Sequence, residues 1–290
     1  MVADRVHFTV CGGCHIDRQL RLSAPPQPGR TNPASAIERL GGVATNIGCQ
    51  LAGFGASVRL VSAQPPDNIA AIEARLADAG IDPWLAPLAG DPPGYTALLA
   101  PDGELLIGAA AMTLYEAVPA SAIRPGLAGA SGPLILDANF PVDTIVAIAT
   151  ECGAARSLFA AGTSIAKVDR VAAVLPSLDA LVLNAGEAAA LCGEAGPVDR
   201  MASALAAGLR GNGIVLVSDG ADMAALASGG EVVTACPPRI RLVNANGAGD
   251  VMAARLFFDL EDRTDMALAR RLDAALVAGA DHAAGTRTET

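Results

Sequence analysis

Short apolar runs and amphipathic stretches alternate along nearly the whole chain. Val6–Val10 and Val58–Val61 have the length and composition of buried strands, as do Leu134–Leu136, Leu158–Ala160, Leu181–Leu183 and Ile214–Val217. Between them the apolar positions fall into helical spacing. Ile47, Leu51 and Phe54 share one helix face, and Ile69, Ile72, Leu76 and Ala79 another. Further helices are predicted over Val142–Glu151, with Pro141 at its start, and over Val168–Val174, Ala185–Leu191 and Met201–Leu209. Strands alternating with helices predict an α/β fold, a doubly wound, mostly parallel sheet with helices on both faces.

Two stretches break this rhythm. Arg18–Arg39 is rich in Pro, Ser and Arg, and Leu85–Met112 reads as strands separated by turns. Within the second, Tyr95–Leu99 and Glu104–Ile107 flank Pro101-Asp-Gly103, a hairpin turn signal. Both are expected to form a small β lid, from insertions at approximately 18–39 and 85–112 of a single domain spanning 1–290. Ligands of open α/β sheets bind beyond the carboxyl ends of the strands, where such insertions emerge.

Composition adds exclusions. Hydrophobic residues make up 52% of the 290, enough for an α/β core, and aromatics only 3%, so Ala, Leu, Val and Ile must fill it. A formal charge of −10 argues against a nucleic acid polymer as partner but leaves room for a small phosphorylated ligand held by local donors. No run approaches the roughly 18 apolar residues of a membrane span. The N-terminus, with Asp4 and Arg5, lacks the pattern of a signal peptide, and the 6 cysteines read as reduced thiols of a cytoplasmic protein. Lys167 is the sole lysine among the 20 Lys and Arg residues, and it lies between Ala166 and Val168. A Gly-Lys-Ser/Thr phosphate loop is therefore absent, and any phosphoryl transfer must proceed without one.

Four constellations carry chemistry. In the first, Ile240 and Leu242 predict a strand that runs through Asn244-Ala-Asn246 into Gly247-Ala-Gly249-Asp250 and a helix over Val251–Phe258. A glycine loop at a helix start offers free N–H groups and a positive dipole end to an anion. Asp250 in that first turn is either a helix cap or a general base for a hydroxyl beside a transferring phosphoryl group. The second is Gly41-Gly42-Val-Ala-Thr-Asn46, either a tight turn or a close backbone approach with Asn46 facing hydroxyls. The third, Asp17, can accept from two neighbouring hydroxyls of a polyol or simply be solvated. The fourth, Asn184-Ala-Gly-Glu187, follows a predicted strand. It suits either a water-rich Mg²⁺ beside phosphates or an ordinary capping box.

These four in this order, with Ser218-Asp-Gly220 at a strand end, resemble the PfkB (ribokinase-like) family of carbohydrate and nucleoside kinases over nearly the whole chain. The resemblance implies an ATP-dependent kinase in which Asp250 is the base and Gly247, Ala248 and Gly249 supply the anion-stabilising N–H groups. It further implies acceptor contacts from Asp17, Gly42 and Asn46, a Mg²⁺ and phosphate side at Asn184 and Glu187 with Glu187 the metal ligand, and a nucleotide edge at Ser218 and Gly220. Within the family the likeness is closest to pseudouridine kinases. It rests on His15-Ile-Asp17, the hairpin Tyr95–Glu104, Ser164-Ile-Ala-Lys167-Val-Asp-Arg170 and Asn244. This implies the 5′-hydroxyl of pseudouridine as acceptor, with Lys167 facing substrate or phosphate. A ribokinase- or fructokinase-like sugar kinase is the alternative.

Departures from the family pattern set further expectations. His15 stands where Asn is usual, Met223 replaces a glycine, Gly162 follows Ala161 where an Asp-Pro pair is usual, and Ala109-Ala-Ala111 replaces polar lid residues. Asn244 and Asn246 stand where Asp and Thr are typical, weakening the monovalent-cation (K⁺) site that many relatives have. Two rival readings remain. Cys11-Gly-Gly-Cys14-His15 is a redox or zinc motif by spacing, although zinc needs about four ligands. A catalytically silent sugar- or nucleoside-binding protein would retain the fold. A homodimer through exposed lid strands is expected.

Overall fold

The computed structural model describes residues 5–286. The chain enters through β1 (His7–Cys11), makes a lid ribbon of β2 (His15–Leu22) and β3 (Ala34–Gly41), and returns through α1 (Val43–Gly53) and β4 (Ser57–Gln64). After α2 (Pro66–Asp78) and β5 (Ile81–Pro87), a second ribbon follows, β6 (Gly94–Leu99) and β7 (Leu105–Ala111). The alternation resumes with α3 (Ala120–Leu127), β8 (Leu134–Asp137), α4 (Val142–Gly153), β9 (Leu158–Ala161), α5 (Asp169–Ala172) and β10 (Ala180–Asn184). It continues with α6 (Ala185–Cys192), α7 (Val198–Ala206), β11 (Ile214–Ser218), β12 (Ala224–Ser228) and β13 (Glu231–Ala235), and closes with α8 (Ala248–Asp262) and α9 (Leu268–Ala283).

The main sheet has nine strands in the order β13-β12-β11-β10-β9-β8-β1-β4-β5. It is parallel from β11 through β5, and only β12 and β13 run antiparallel. Successive strand residues point to opposite faces, and both faces are buried, so the strands read as continuous apolar runs. Leu134, Leu136, Leu181 and Leu183 pack with α3 to α7 on one face, while Val10, Ile135, Phe159 and Val182 pack with α1, α2, α8 and α9 on the other. The doubly wound expectation therefore holds. The lid is a separate four-stranded sheet, β3-β2-β6-β7, in which the two insertions meet through a parallel β2–β6 pairing.

Several local expectations change. The Pro101-Asp-Gly103 hairpin forms, with β6 and β7 antiparallel around it. Leu85 belongs to β5 of the main sheet, so the second insertion starts later than 85. The first lid ribbon extends beyond 18–39 at both ends. The helix expected over 168–174 is a single turn, α5. The strand expected at Ile240 and Leu242 does not form. That segment is irregular, and both side chains are exposed, so its alternation pairs with no ladder.

The C-terminal helices are joined by a buried cation. Arg271 of α9 is 4% exposed and donates to the carbonyls of Met266 (3.0 Å), Arg263 (2.7 Å), Thr264 (3.2 Å) and Asp259. It gathers carbonyls at and just beyond the end of α8, where the helix dipole favours a cation. Arg271→Leu is expected to cost roughly 2–3 kcal/mol, the range for losing charged hydrogen bonds to buried acceptors. Thermal or urea denaturation checks this, with the half-exposed Arg263→Leu as a control that stays within about 0.5 kcal/mol.

Candidate active site

The carboxyl edge of the parallel strands gathers polar side chains that the apolar strands themselves lack. β8 ends in Asp137, 2% exposed, whose carboxylate accepts four N–H groups. Its Oδ2 takes Gly13 N–H (2.9 Å), Ala44 N–H (3.1 Å) and the Asn139 side-chain amide (2.8 Å), and its Oδ1 takes Asn139 N–H (2.9 Å). Ala44 lies in the first turn of α1, so Asp137 satisfies an orphan donor there from another element. The Gly12-Gly13 turn is held as firmly. Ser62 Oγ donates to Gly12 O (2.6 Å), Thr45 Oγ1 to Gly13 O (3.0 Å), and Tyr115 Oη to Cys14 O.

The paired glycines before α1 have separate reasons. Gly42 has φ +102, and a Cβ there would collide with the Gly13 carbonyl. A Cβ at Gly41 would collide with the Asp17 carboxylate, which lies directly over it. His15 Nδ1 is 2.8 Å from Asp17 Oδ1, and among the described residues neither atom has another partner, so the histidine orients the carboxylate.

Asn46, one turn into α1, donates through Nδ2 to Asp250 Oδ2 at 2.7 Å. Asp250 is half-buried in the first turn of α8, behind Gly247 at φ +82. Removal from water pushes its carboxyl up to about 7. The Asn46 hydrogen bond opposes that rise, and the negative charges of Asp137, Glu187 and Asp17 add to it. Ala248 N–H is bonded to Ala245 O (3.2 Å) and Val251 N–H to Gly247 O (3.0 Å). Among the described residues no backbone acceptor takes the N–H of Gly247, Gly249 or Asp250, so three donors of this turn stay available to an anion. Ala248 N–H, expected in the same role, is engaged within the turn.

A cavity of about 520 Å³ lies between the lid and this turn. Asp17, Gln19, Arg39, Asn46, Tyr95 and Gly247 are among the residues that line it. Asp17 and Asn46 are thus brought together with the glycine turn. Gly42, Ala248, Gly249, Asp250 and Lys167 do not line the cavity; of the glycine turn it touches Gly247, and Asp250 is reached from it through Asn46. The lysine ammonium sits 3.2 Å from Asn139 Oδ1 and 3.4 Å from Glu116 Oε1, in a network with Arg170.

Asn184 and Glu187 form the capping box of α6. Asn184 Oδ1 accepts from Glu187 N–H (2.9 Å), and Glu187 Oε2 accepts from Asn184 N–H (3.0 Å). Burial raises the Glu187 carboxyl above its ordinary value. Gly162 makes room for it, because a Cβ there would strike Oε2. Ser218, buried at the end of β11, is in register with Asn184, and Gly220 follows with φ +57. Asn184, Glu187, Ser218 and Gly220 therefore share the same edge, toward β11. Before the glycine turn, Asn244 Oδ1 accepts from Asn246 N–H (3.0 Å) and Asn246 O faces His282 Nε2 (2.8 Å), so these two oxygens are engaged without a cation.

The Cys11/Cys14 pair is not a thiol site. Cys11 packs on one face of the sheet and Cys14 on the other, and burial pushes the Cys14 thiol up to about 12 and the Cys11 thiol well above its ordinary value. All six cysteines are free, and no helix among the described residues is long and apolar enough to cross a membrane. Three residues that organise this edge lay outside the sequence expectations: Asp137, Asn139 and Tyr115. Asp137 did leave a signal, a charged residue closing the apolar run Leu134–Leu136 at a carboxyl edge.

Known proteins share this fold. A carbohydrate kinase from Agrobacterium tumefaciens is 29% identical, with a TM-score of 0.81 over 95% of this chain and 90% of that one. Ribokinase from Thermotoga maritima superposes with a TM-score of 0.81 at 19% identity, covering 98% of this chain and 94% of its own. An ADP complex of ribokinase from Cryptococcus neoformans gives 0.72 at 20% identity, over 96% and 94%. No curated protein matches the chain. The model of the pfkB family carbohydrate kinases matches residues 9–280. With nearly its whole length matched, and with a glycine turn, a base-range carboxylate and a lidded cavity at one sheet edge, the chain belongs to the pfkB family of carbohydrate kinases.

Proposed function

We propose that the protein transfers the γ-phosphoryl group of ATP to a ribose or sugar hydroxyl, with the 5′-hydroxyl of pseudouridine as the acceptor. The observation that carries this reading is Asp250, a carboxyl poised near 7 and held by the cavity-lining Asn46, in a helix turn with three open N–H groups of which Gly247 borders the cavity. Asp250 takes the proton of the acceptor hydroxyl as its oxygen bonds to the γ-phosphorus and the bond to the β–γ bridging oxygen breaks. The N–H groups of Gly247, Gly249 and Asp250 oppose the charge on the transferring group. Asp17 and the outer cavity wall hold the acceptor. Ser218 and Gly220 form the nucleotide edge.

Glu187 keeps Oε1 outside its capping box, which fits a Mg²⁺ that takes one or two carboxylates and completes its shell with water and phosphate oxygens. When bound, Mg²⁺ neutralises phosphate charge. Pseudouridine is supported by the sequence likeness and by the cavity's Gln19, Arg39 and Tyr95, which suit a polar, stackable base. A simple sugar is favoured by one observation: β7 offers Ala109, Ala110 and Ala111, whose side chains have no group to hydrogen-bond a base. Free thiols and an ATP requirement fit a cytoplasmic enzyme.

ADP release from MgATP is measured with pseudouridine, uridine, adenosine, ribose and fructose. Turnover on pseudouridine alone is expected, and turnover on ribose or fructose instead would move the acceptor to the sugars. Asp250→Asn is expected to lose roughly 10²–10⁴ in kcat. It should also raise the Tm at pH 8, where the wild-type carboxylate is ionised against a raised pKa and so disfavours folding. Since the ionised form is the base, kcat/KM should climb with pH through about 7 and level off above it. Asn46→Ala removes the interaction that lowers that pKa, so its pH profile is expected to shift upward. Pairing of two lids is also proposed, because Ile37, Leu105 and Ile107 are more than half exposed, at 53%, 54% and 62%. Ile107→Glu should convert a dimer to a monomer in sedimentation, and a monomeric wild type would refute the pairing.

A further inference from the structure

The turn that carries the open N–H groups is tethered to the last helix at three points. Val243 N–H and Asn244 N–H both donate to Ala283 O, at 2.8 and 3.1 Å. The third tether is His282 of α9, whose Nε2 lies 2.8 Å from Asn246 O. A carbonyl only accepts, so Nε2 must carry the proton. The ring is half-buried and packs beside Gly247, near enough that a Cβ added to the glycine would sit 3.3 Å from Nε2. Asn246 is closed on the other side by its N–H to Asn244 Oδ1 (3.0 Å).

One peptide group links these contacts to the site. Asn246 C=O and Gly247 N–H are opposite edges of the same planar trans unit and point in opposite directions. With the carbonyl held by His282, the Gly247 N–H is turned away from α9, and it has no backbone acceptor among the described residues. Gly247 is the sharpest point of the turn, at φ +82, where the chain has most freedom to rotate a peptide. We propose that His282 is a positioning residue that fixes the Asn246–Gly247 peptide, and so aims one of the charge-stabilising N–H groups at the transferring phosphoryl. This rests on the phosphoryl-transfer reading above. His282 touches neither acceptor hydroxyl nor phosphate in this role. Its place in the cavity wall makes acceptor binding the competing role.

His282→Ala and His282→Gln are compared with wild type by steady-state kinetics and by amide hydrogen exchange over residues 243–250. Glutamine can present an N–H at similar reach. The alanine variant is expected to lose kcat on the order of tenfold, less than the roughly 10²–10³ that follows outright loss of an oxyanion donor, with acceptor KM little changed. Exchange in the 243–250 segment should quicken, and glutamine should restore most of both. Unchanged kcat and exchange in His282→Ala overturn the inference. So does a raised acceptor KM with kcat retained, which assigns the ring to the acceptor. A wild type that turns over no acceptor refutes the phosphoryl-transfer reading, while unchanged exchange refutes the tether, so the two failures are told apart.

Discussion

One buried carboxylate holds the site in place. Asp137 brings the β1 turn, the start of α1 and the end of β8 to a single point by accepting four N–H groups. A charge so deeply buried is tolerable only when every lone pair is matched, and here the matching groups belong to the elements that must meet. From that point the geometry propagates along α1, where Asn46 projects one turn later and reaches Asp250 on a helix about two hundred residues away in sequence. The same charge contributes, through space, to the raised pKa of Asp250. Anchoring and base tuning thus come from one group.

The parallel core was legible because both faces of it are buried. Runs such as Leu181–Leu183 have no polar face to confuse the period, and that run lies within β10. The same logic misled at Ile240 and Leu242, where alternation is present but no neighbouring strand offers a ladder. Strands β12 and β13 stayed hidden because Ala-rich and Glu-Val-Val-Thr segments carry little apolar contrast. At the site, motif spacing located Asp250, Asn46 and Asp17 but could not show how they touch. Asn46 was read as facing the acceptor, and its side chain donates to Asp250, the proposed base. Lys167 was expected to face substrate or phosphate from the likeness of its segment, whereas its ammonium lies beside Glu116 and Asn139.

Four acids, Asp17, Asp137, Glu187 and Asp250, lie close enough for three of them to raise the proton affinity of the fourth. An edge built this way is unfavourable for a polyanion unless donors and a cation offset it, and in a chain with formal charge −10 the proposed phosphate contacts therefore fall to backbone N–H groups. The capping box at Asn184 and Glu187 fits the same economy. A local motif fixes a carboxylate in place and leaves one of its oxygens outward.

The lid is assembled from two insertions that meet only through the β2–β6 pairing, and β2 leaves the body directly from the clamped Cys14 while β3 runs without a linker into Gly41, Gly42 and α1. A plate joined to its base by such short, hydrogen-bonded necks cannot flap independently. Any tilt of it acts as a lever on the first turn of α1, and hence on Asn46. A ligand of the outer cavity that shifts the lid would therefore also shift the start of α1, and with it the Asn46 hydrogen bond to Asp250.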